Sequence, residues 1–98
     1  MSQQRYGDMP RIDDRELDGI SLYIYHGGED RHQPHFHAYY SGEAAVLSIS
    51  TGDALAGQLA ASQLRKIQRW LSVHRDEVMD RWSRAQRVEP IVRIRRTL

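Results

Sequence analysis

The sequence predicts an α+β fold, in which a small three- to four-stranded antiparallel sheet packs against one long or kinked C-terminal helix, or against a helix pair. Apolar residues alternate with a period of two up to about residue 59, and from residue 62 they recur at three- and four-residue steps. The chain of 98 residues is long enough for one small core. We therefore expect a loose N-terminal extension over residues 1–8 and a single domain over residues 9–98.

Short alternating segments rich in β-branched and aromatic residues are typical of strands. They predict strands over residues 20–26, 35–40, 43–50 and 54–59. Ser41-Gly42 suits a two-residue hairpin turn between the second and third strands. In the third strand, we expect Ala45, Leu47 and Ile49 to face the core because they alternate with more polar positions.

One apolar stripe predicts a helix over residues 62–87. Its members are Leu64, Ile67, Leu71, His74, Val78, Trp82 and Ala85. Ser62 is the expected N-cap, since its hydroxyl can accept a hydrogen bond from an unpaired backbone N–H. A kink near residues 72–74 would divide the segment into two helices, and the periodicity does not decide between the two arrangements. Pro90 ends the helical pattern, and residues 91–94 predict an edge strand.

Three large side chains on or beside this stripe are expected to have structural roles. His74 lies on the apolar stripe, which favours a buried histidine that is hydrogen-bonded to a neighbour. Trp70 and Trp82 are expected to anchor the core.

The strongest functional signal is a pair of histidines on the second predicted strand. His35 and His37 point to the same face, because side chains two residues apart on a strand share a side. Two imidazoles at this spacing can bind one divalent metal ion, with a third ligand from His26, His32, Glu29 or Asp30. They can equally act as acid and base in the cleavage of a phosphodiester, which needs no metal. The residues do not decide between these two chemistries.

A non-catalytic interpretation fits the same residues. An antiparallel sheet that is covered on one side exposes its other face, where His35, His37 and Tyr39 would simply meet solvent. Tyr23, Tyr25 and Tyr39 can stack on bases or cover a strand face.

Composition and charge restrict the remaining classes of function. The absence of cysteine excludes disulfide scaffolds, thiolate metal sites and cysteine nucleophiles. No apolar run approaches the roughly 20 residues of a membrane span, and no signal-peptide pattern is visible, so we expect a cytoplasmic protein with no membrane partner. Residues 1–60 have a net charge of −5 from four basic and nine acidic residues, whereas residues 61–98 have +6 from ten basic and four acidic residues. The basic third is suited to RNA or to an acidic protein.

Three segments of the chain resemble a known bacterial family, the domain-of-unknown-function family 4160. They are Met9-Pro10-Arg11-Ile12, then Gln33-Pro34-His35-Phe36-His37-Ala38-Tyr39-Tyr40, and Trp70-Leu71-x-x-His74-Arg75-x-Glu77 followed by Trp82. The predicted strand Gly19-Ile20-Ser21-Leu22-Tyr23-Ile24-Tyr25 contributes to the same resemblance. The resemblance covers roughly residues 9–90. Gln33 departs from the family pattern, which has a second proline at that position.

The resemblance implies a small cytoplasmic protein that is encoded beside another short protein, in an arrangement like a toxin–antitoxin pair. It brings no established reaction. The residues that it marks are Pro34, His35, Phe36, His37, Ala38, Tyr40, Trp70, His74, Arg75 and Trp82.

Our leading hypothesis is one component of a two-gene, toxin–antitoxin-like module with a paired-histidine site for a divalent metal or an RNA phosphate. The candidate catalytic residues are His35 and His37, with Arg75 as a phosphate contact, and RNA cleavage is the reaction that they would support. The candidate metal ligands are His35, His37, His32 and His26. The candidate partners are a cognate protein encoded nearby, RNA, and a second copy of the chain. The alternative is a non-catalytic protein–protein interaction module with solvent-exposed histidines.

Overall fold

The computed structural model describes residues 9–26 and 33–97, and within them the chain forms four strands and one helix. These elements are β1 (Ser21–Tyr23), β2 (His35–Tyr40), β3 (Glu43–Ser48), β4 (Ala54–Gly57) and α1 (Ala61–Gln86). The strands form one sheet in the order β1-β2-β3-β4, with each strand antiparallel to its neighbour. The predicted α+β fold is confirmed. The expected N-terminal extension lies outside the described residues.

The β2–β3 hairpin has the turn that the sequence predicts. Ser41 and Gly42 both have a positive φ, of 49° and 85°, which is the backbone conformation of a type I′ turn. Such a turn matches the right-handed twist of the two strands that it joins. It sets the register in which Phe36 lies opposite Leu47 and His37 lies opposite Val46.

The core lies between one face of the sheet and α1. Phe36, Ala38 and Leu47 are fully buried on the strand side, as alternation along β2 and β3 requires. The helix contributes Ile67, Trp70, Leu71, Val78 and Ala85. The expected burial of Ala45, Leu47 and Ile49 is confirmed, and Trp82 packs partly buried against the same core.

The helix begins one residue before the predicted start. The Ala60 carbonyl accepts hydrogen bonds from the N–H groups of Gln63 and Leu64, so Ala60 is the N-cap and its side chain makes no capping bond. The prediction of Ser62 as N-cap is wrong, because Ser62 already lies inside the first turn.

A kink at His74 interrupts α1, with φ −113° and ψ 15° in place of helical values. The kinked alternative of the sequence analysis is therefore the observed one. The His74 ring is buried, with Nδ1 2.6 Å from Glu77 Oε1 and Nε2 2.7 Å from Thr97 Oγ1. This confirms a buried, hydrogen-bonded histidine, and it fastens the C-terminal segment to the helix.

Residues 91–94 do not form the predicted edge strand. The Ile94 N–H donates to the Ile12 carbonyl at 2.8 Å, and the Ile94 side chain is fully buried. The segment therefore has an irregular backbone. Its apolar side chain Ile94 packs into the core, but no strand ladder forms beside it.

The first strand is shorter than the predicted 20–26. After Tyr23, the Ile24 N–H donates to the Pro10 carbonyl at 3.2 Å, and Tyr23 itself bridges to Arg11. Beyond Tyr23 the chain therefore keeps its pairing with the preceding segment after its ladder with β2 has ended.

A buried carboxylate joins that preceding segment to β1. Asp13 is fully buried and accepts hydrogen bonds from the Leu22 N–H at 2.8 Å and the Arg15 N–H at 3.1 Å. The Arg11 guanidinium donates to both of its oxygens, at 2.9 and 3.1 Å. Sequence analysis does not single out Asp13, since its partners are backbone groups that only the fold brings close.

The helix α1 carries charged residues throughout. No helix of the described segments is long and apolar enough to cross a bilayer.

Candidate functional site

His35 and His37 lie on the face of the sheet that is turned away from α1. The intervening Phe36 points to the opposite face and is fully buried there, while both histidines are partly exposed. The expected placement of the two imidazoles on one strand face is confirmed.

The flanking strands build a shallow cavity around the pair. His37 lies opposite Val46 on β3, and a β-bulge at Val46 and Leu47 shifts the register with β4. Leu55 of β4 and Gln33 complete the lining of a cavity of about 360 Å³ that also contains both histidines. The cavity thus has imidazoles on one wall and aliphatic side chains on the other.

The orientation of the His35 ring is set by the backbone. Its Nδ1 lies 2.9 Å from the Gln33 carbonyl oxygen, and because a carbonyl can only accept, Nδ1 carries the proton. In the neutral ring the lone pair is then on Nε2. The ring centroids of His35 and His37 are 5.4 Å apart at an interplanar angle of 68°. A histidine whose second nitrogen is held by a carbonyl is a common arrangement among metal ligands.

His37 is the more enclosed member of the pair. Its ring centroid is 4.2 Å from that of Tyr25. Burial, together with the neighbouring His35, lowers the pKa of His37 below its ordinary value of 6.5. His37 is therefore neutral at pH 7, which suits a metal ligand or a general base and disfavours a cationic contact to phosphate.

Three tyrosines lie near the histidine pair on the same face. The hydroxyls of Tyr25 and Tyr39 are 2.9 Å apart, and the ring of Tyr23 meets that of Tyr39 edge-on at 5.4 Å. The hydrogen bond from Tyr25 and burial raise the pKa of Tyr39 to about 12. Tyr39 consequently stays protonated at neutral pH and acts as a hydrogen-bonding and packing group.

Of the other predicted ligands, the structure describes His26 alone, and its ring is engaged elsewhere. The His26 Nε2 lies 2.7 Å from the Glu89 carbonyl oxygen, so this ring ties the end of β1 to the segment after α1. Within residues 9–26 and 33–97, no three histidine, aspartate or glutamate side chains form a metal-binding group. Three further candidates lie outside the described residues, namely Glu29, Asp30 and His32.

Arg75, the candidate phosphate contact, binds the backbone. Its Nε donates to the Ile49 carbonyl at 2.9 Å, just beyond the end of β3. Arg75 extends from α1, which covers the core face of the sheet, whereas His35 and His37 are on the outer face.

Gln33 and Leu55 of the cavity escape sequence analysis for different reasons. Gln33 acts through its backbone carbonyl, which no side-chain pattern reveals. Leu55 reaches the site only through the irregular register of β3 with β4. The tyrosines do carry a signal, since Tyr23 and Tyr25 alternate on one face of the first strand.

The coupling of the two imidazoles can be measured by NMR titration of their ring protons. We expect the titration midpoint of His37 to lie below pH 6.5 and to rise in a His35→Asn variant, because a nearby positive charge is then removed. His26→Asn serves as the control and should leave the midpoint of His37 in place. A His37 midpoint at or above 6.5 in the unmodified protein would contradict the burial argument.

Comparison with known proteins gives one match. The family model described as Domain of unknown function (DUF4160) matches residues 19–83, a span that includes the whole sheet and most of α1. None of the curated proteins and none of the solved structures matches the chain. Because the family model covers well over half of the sequence, the chain belongs to the DUF4160 family.

Proposed function

We propose that this protein is one component of a toxin–antitoxin-like two-gene module, and that His35 and His37 form its site for a divalent metal ion. The resemblance of the motifs supports the module. The metal assignment rests on the two imidazoles, which share one strand face at a centroid distance of 5.4 Å.

The chemistry of the pair favours a metal ion over an RNA phosphate. First-row divalent metals bind neutral imidazole nitrogen, and the lowered pKa of His37 keeps its ring neutral at pH 7. A phosphate would instead need a cation. The cation that the sequence analysis proposed for this role, Arg75, already donates to the Ile49 carbonyl. Acid–base cleavage of RNA by the same two histidines is the alternative within this site.

Two histidines alone leave coordination positions of a tetrahedral ion open. Water, a substrate or a side chain of the partner protein would complete the shell. This fits a module in which the second protein controls the site.

Metal analysis tests the proposal directly. Protein purified without a histidine tag is expected to hold close to one equivalent of zinc, nickel or manganese by elemental analysis. The His35→Ala/His37→Ala double variant is expected to hold only background metal, because both imidazole ligands are removed.

A His26→Ala variant is the matched control, since it removes a histidine whose ring contacts a backbone carbonyl elsewhere. It should retain the metal of the unmodified protein. An unmodified protein that stays empty after incubation with these metals would overturn the metal site and leave metal-free acid–base chemistry to be tested with RNA.

A second candidate function is a non-catalytic interaction module. It is favoured by cations on α1 that have no acidic partner among the described residues, namely the exposed Arg65 and Arg69 and the partly exposed Lys66. In that case alanines at His35 and His37 leave partner binding unchanged, whereas charge reversal on α1 weakens it.

A further inference from the structure

A groove beside α1, remote in the fold from the histidine face, carries an inference of its own. We infer that this groove docks an acidic segment of a partner protein in which carboxylates lie beside an apolar residue. Its walls and floor are formed by Glu16, Leu17, Lys66, Arg69, Trp70 and Val73, which enclose about 270 Å³. We call it the α1 groove. The inference does not depend on a metal at His35 and His37.

Positive charge on one face of α1 favours an acidic partner. Lys66, Arg69 and Val73 are spaced by three and four residues, so they lie along one face of α1. Across the described segments, neither cation forms an ion pair with an acidic side chain. By contrast, Arg84 near the end of the same helix pairs with Asp80 at 2.9 Å. The first turn of α1 also lacks acidic residues, so nothing there offsets the two charges.

An exposed apolar side chain lies one helical turn beyond these two charges. Val73 has 62% of its surface exposed, although it adjoins the buried residues Leu17 and Trp70. A partner side chain that covers Val73 would remove apolar surface from water while its neighbouring carboxylates meet Lys66 and Arg69.

The one carboxylate in the α1 groove is already engaged. Glu16 accepts hydrogen bonds from the Trp70 indole N–H at 2.8 Å and from the Thr97 N–H at 3.0 Å. Glu16 therefore holds Trp70 and the C-terminal segment in place, and it does not neutralise the cations across the groove.

The lining favours a polypeptide over RNA. Trp70 is only 5% exposed, so it offers no open ring face on which a base could stack. Leu17 and Val73 line the groove beside the cations, which suits an apolar side chain. Separate carboxylates beside one apolar residue match Lys66, Arg69 and the adjoining Val73.

The test is an NMR titration of the full chain with short peptides. The probe is acetyl-Asp-Glu-Leu-Glu-Asp-amide, and its uncharged counterpart is acetyl-Asn-Gln-Leu-Gln-Asn-amide. We expect the acidic peptide to shift the backbone amides of residues 66–73 and of Leu17. The uncharged peptide is expected to bind about tenfold more weakly or not at all, because the charge-pairing contribution is lost.

Charge-reversal variants of equal net charge locate the effect. Lys66→Glu/Arg69→Glu is expected to weaken binding of the acidic peptide at least about tenfold. Arg93→Glu/Arg95→Glu makes the same change of charge at exposed cations outside the α1 groove and should bind nearly as the unmodified protein does. Dispersed amide spectra confirm that each variant is folded.

Several results would overturn the inference. These are equal weakening by both double variants, equal binding of the two peptides, shifts confined to residues outside the groove, and tighter binding of a single-stranded RNA hexamer to the same residues. The titration is repeated on the His35→Ala/His37→Ala variant, which should still bind the peptide. Loss of the metal site and loss of the docking groove are thereby distinguished.

Discussion

Replacing Asp13 with alanine is expected to lower the free energy of unfolding by about 3–5 kcal/mol, the usual effect of removing one partner from a buried charge pair. The substitution leaves the Leu22 and Arg15 N–H groups without their acceptor. It also leaves the Arg11 guanidinium without the carboxylate to whose two oxygens it donates. Each buried donor left unpaired has its own desolvation cost. Since small domains have a total stability of about 5–15 kcal/mol, this one side chain is decisive.

Guanidinium denaturation with linear extrapolation measures the loss. Asp14→Ala is the matched control, because Asp14 is partly exposed and its nearest cation, Arg93, is 3.8 Å away at the surface. Exposed pairs of this kind contribute about 1 kcal/mol or less. If the Asp13→Ala variant does not fold, Asp13→Asn, which keeps one acceptor oxygen, is measured instead. Its free energy of unfolding should lie between those of the Asp13→Ala and Asp14→Ala variants. An Asp13→Ala protein as stable as the Asp14→Ala protein would contradict the network.

The parts of the fold that depend on local pattern are predictable from sequence. The alternation in β2 and β3 places Phe36 in the core and His35 on the outer face, and Ser41-Gly42 supplies the turn. The three- and four-residue spacing places Ile67 and Val78 in the core. In these cases each residue's own neighbours in the chain decide its environment.

The parts that fail depend on partners distant in sequence. Residues 91–94 form an irregular segment in place of the predicted edge strand, because Ile94 hydrogen-bonds to the Ile12 backbone and is buried in the core. Ser62 is a good N-cap by residue type, yet the backbone turns helical one residue earlier. From its sequence neighbours alone, Asp13 is not distinguishable from a surface acidic residue. In the fold it is buried among backbone N–H donors.

The candidate site divides in the same way. The spacing of His35 and His37 on a strand predicts their common face, and the structure gives 5.4 Å between their rings. The neutral state of His37 does not follow from spacing, because it depends on how far Tyr25 and the rest of the face bury the ring. Metal binding itself is a prediction for experiment.

Substitution at Gly57 is expected to have the second large effect on stability, and it acts next to the site. Gly57 has φ +70°, and a Cβ there would overlap the Ala44 carbonyl oxygen and lie 3.1 Å from the Ala45 Cα. These are backbone atoms of β3, which cannot turn aside as a flexible side chain can. We expect Gly57→Ala to cost about 2–5 kcal/mol, since backbone strain and a steric clash each contribute about 1–3 kcal/mol.

The matched control for Gly57→Ala is Gly42→Ala. Gly42 has a similar φ of +85°, but no atom lies within 4 Å of an added Cβ. This control isolates the left-handed backbone, for which about 1–2 kcal/mol is expected. Hydrogen exchange at the Gln58 amide, which donates to the Ala44 carbonyl at 3.2 Å, reports whether β4 detaches locally. Equal losses in the two variants would show that the clash with β3 is relieved by movement of β4. Faster exchange at Gln58 in Gly57→Ala alone would show that β4, the strand that carries Leu55, detaches from β3 when their close approach is disturbed.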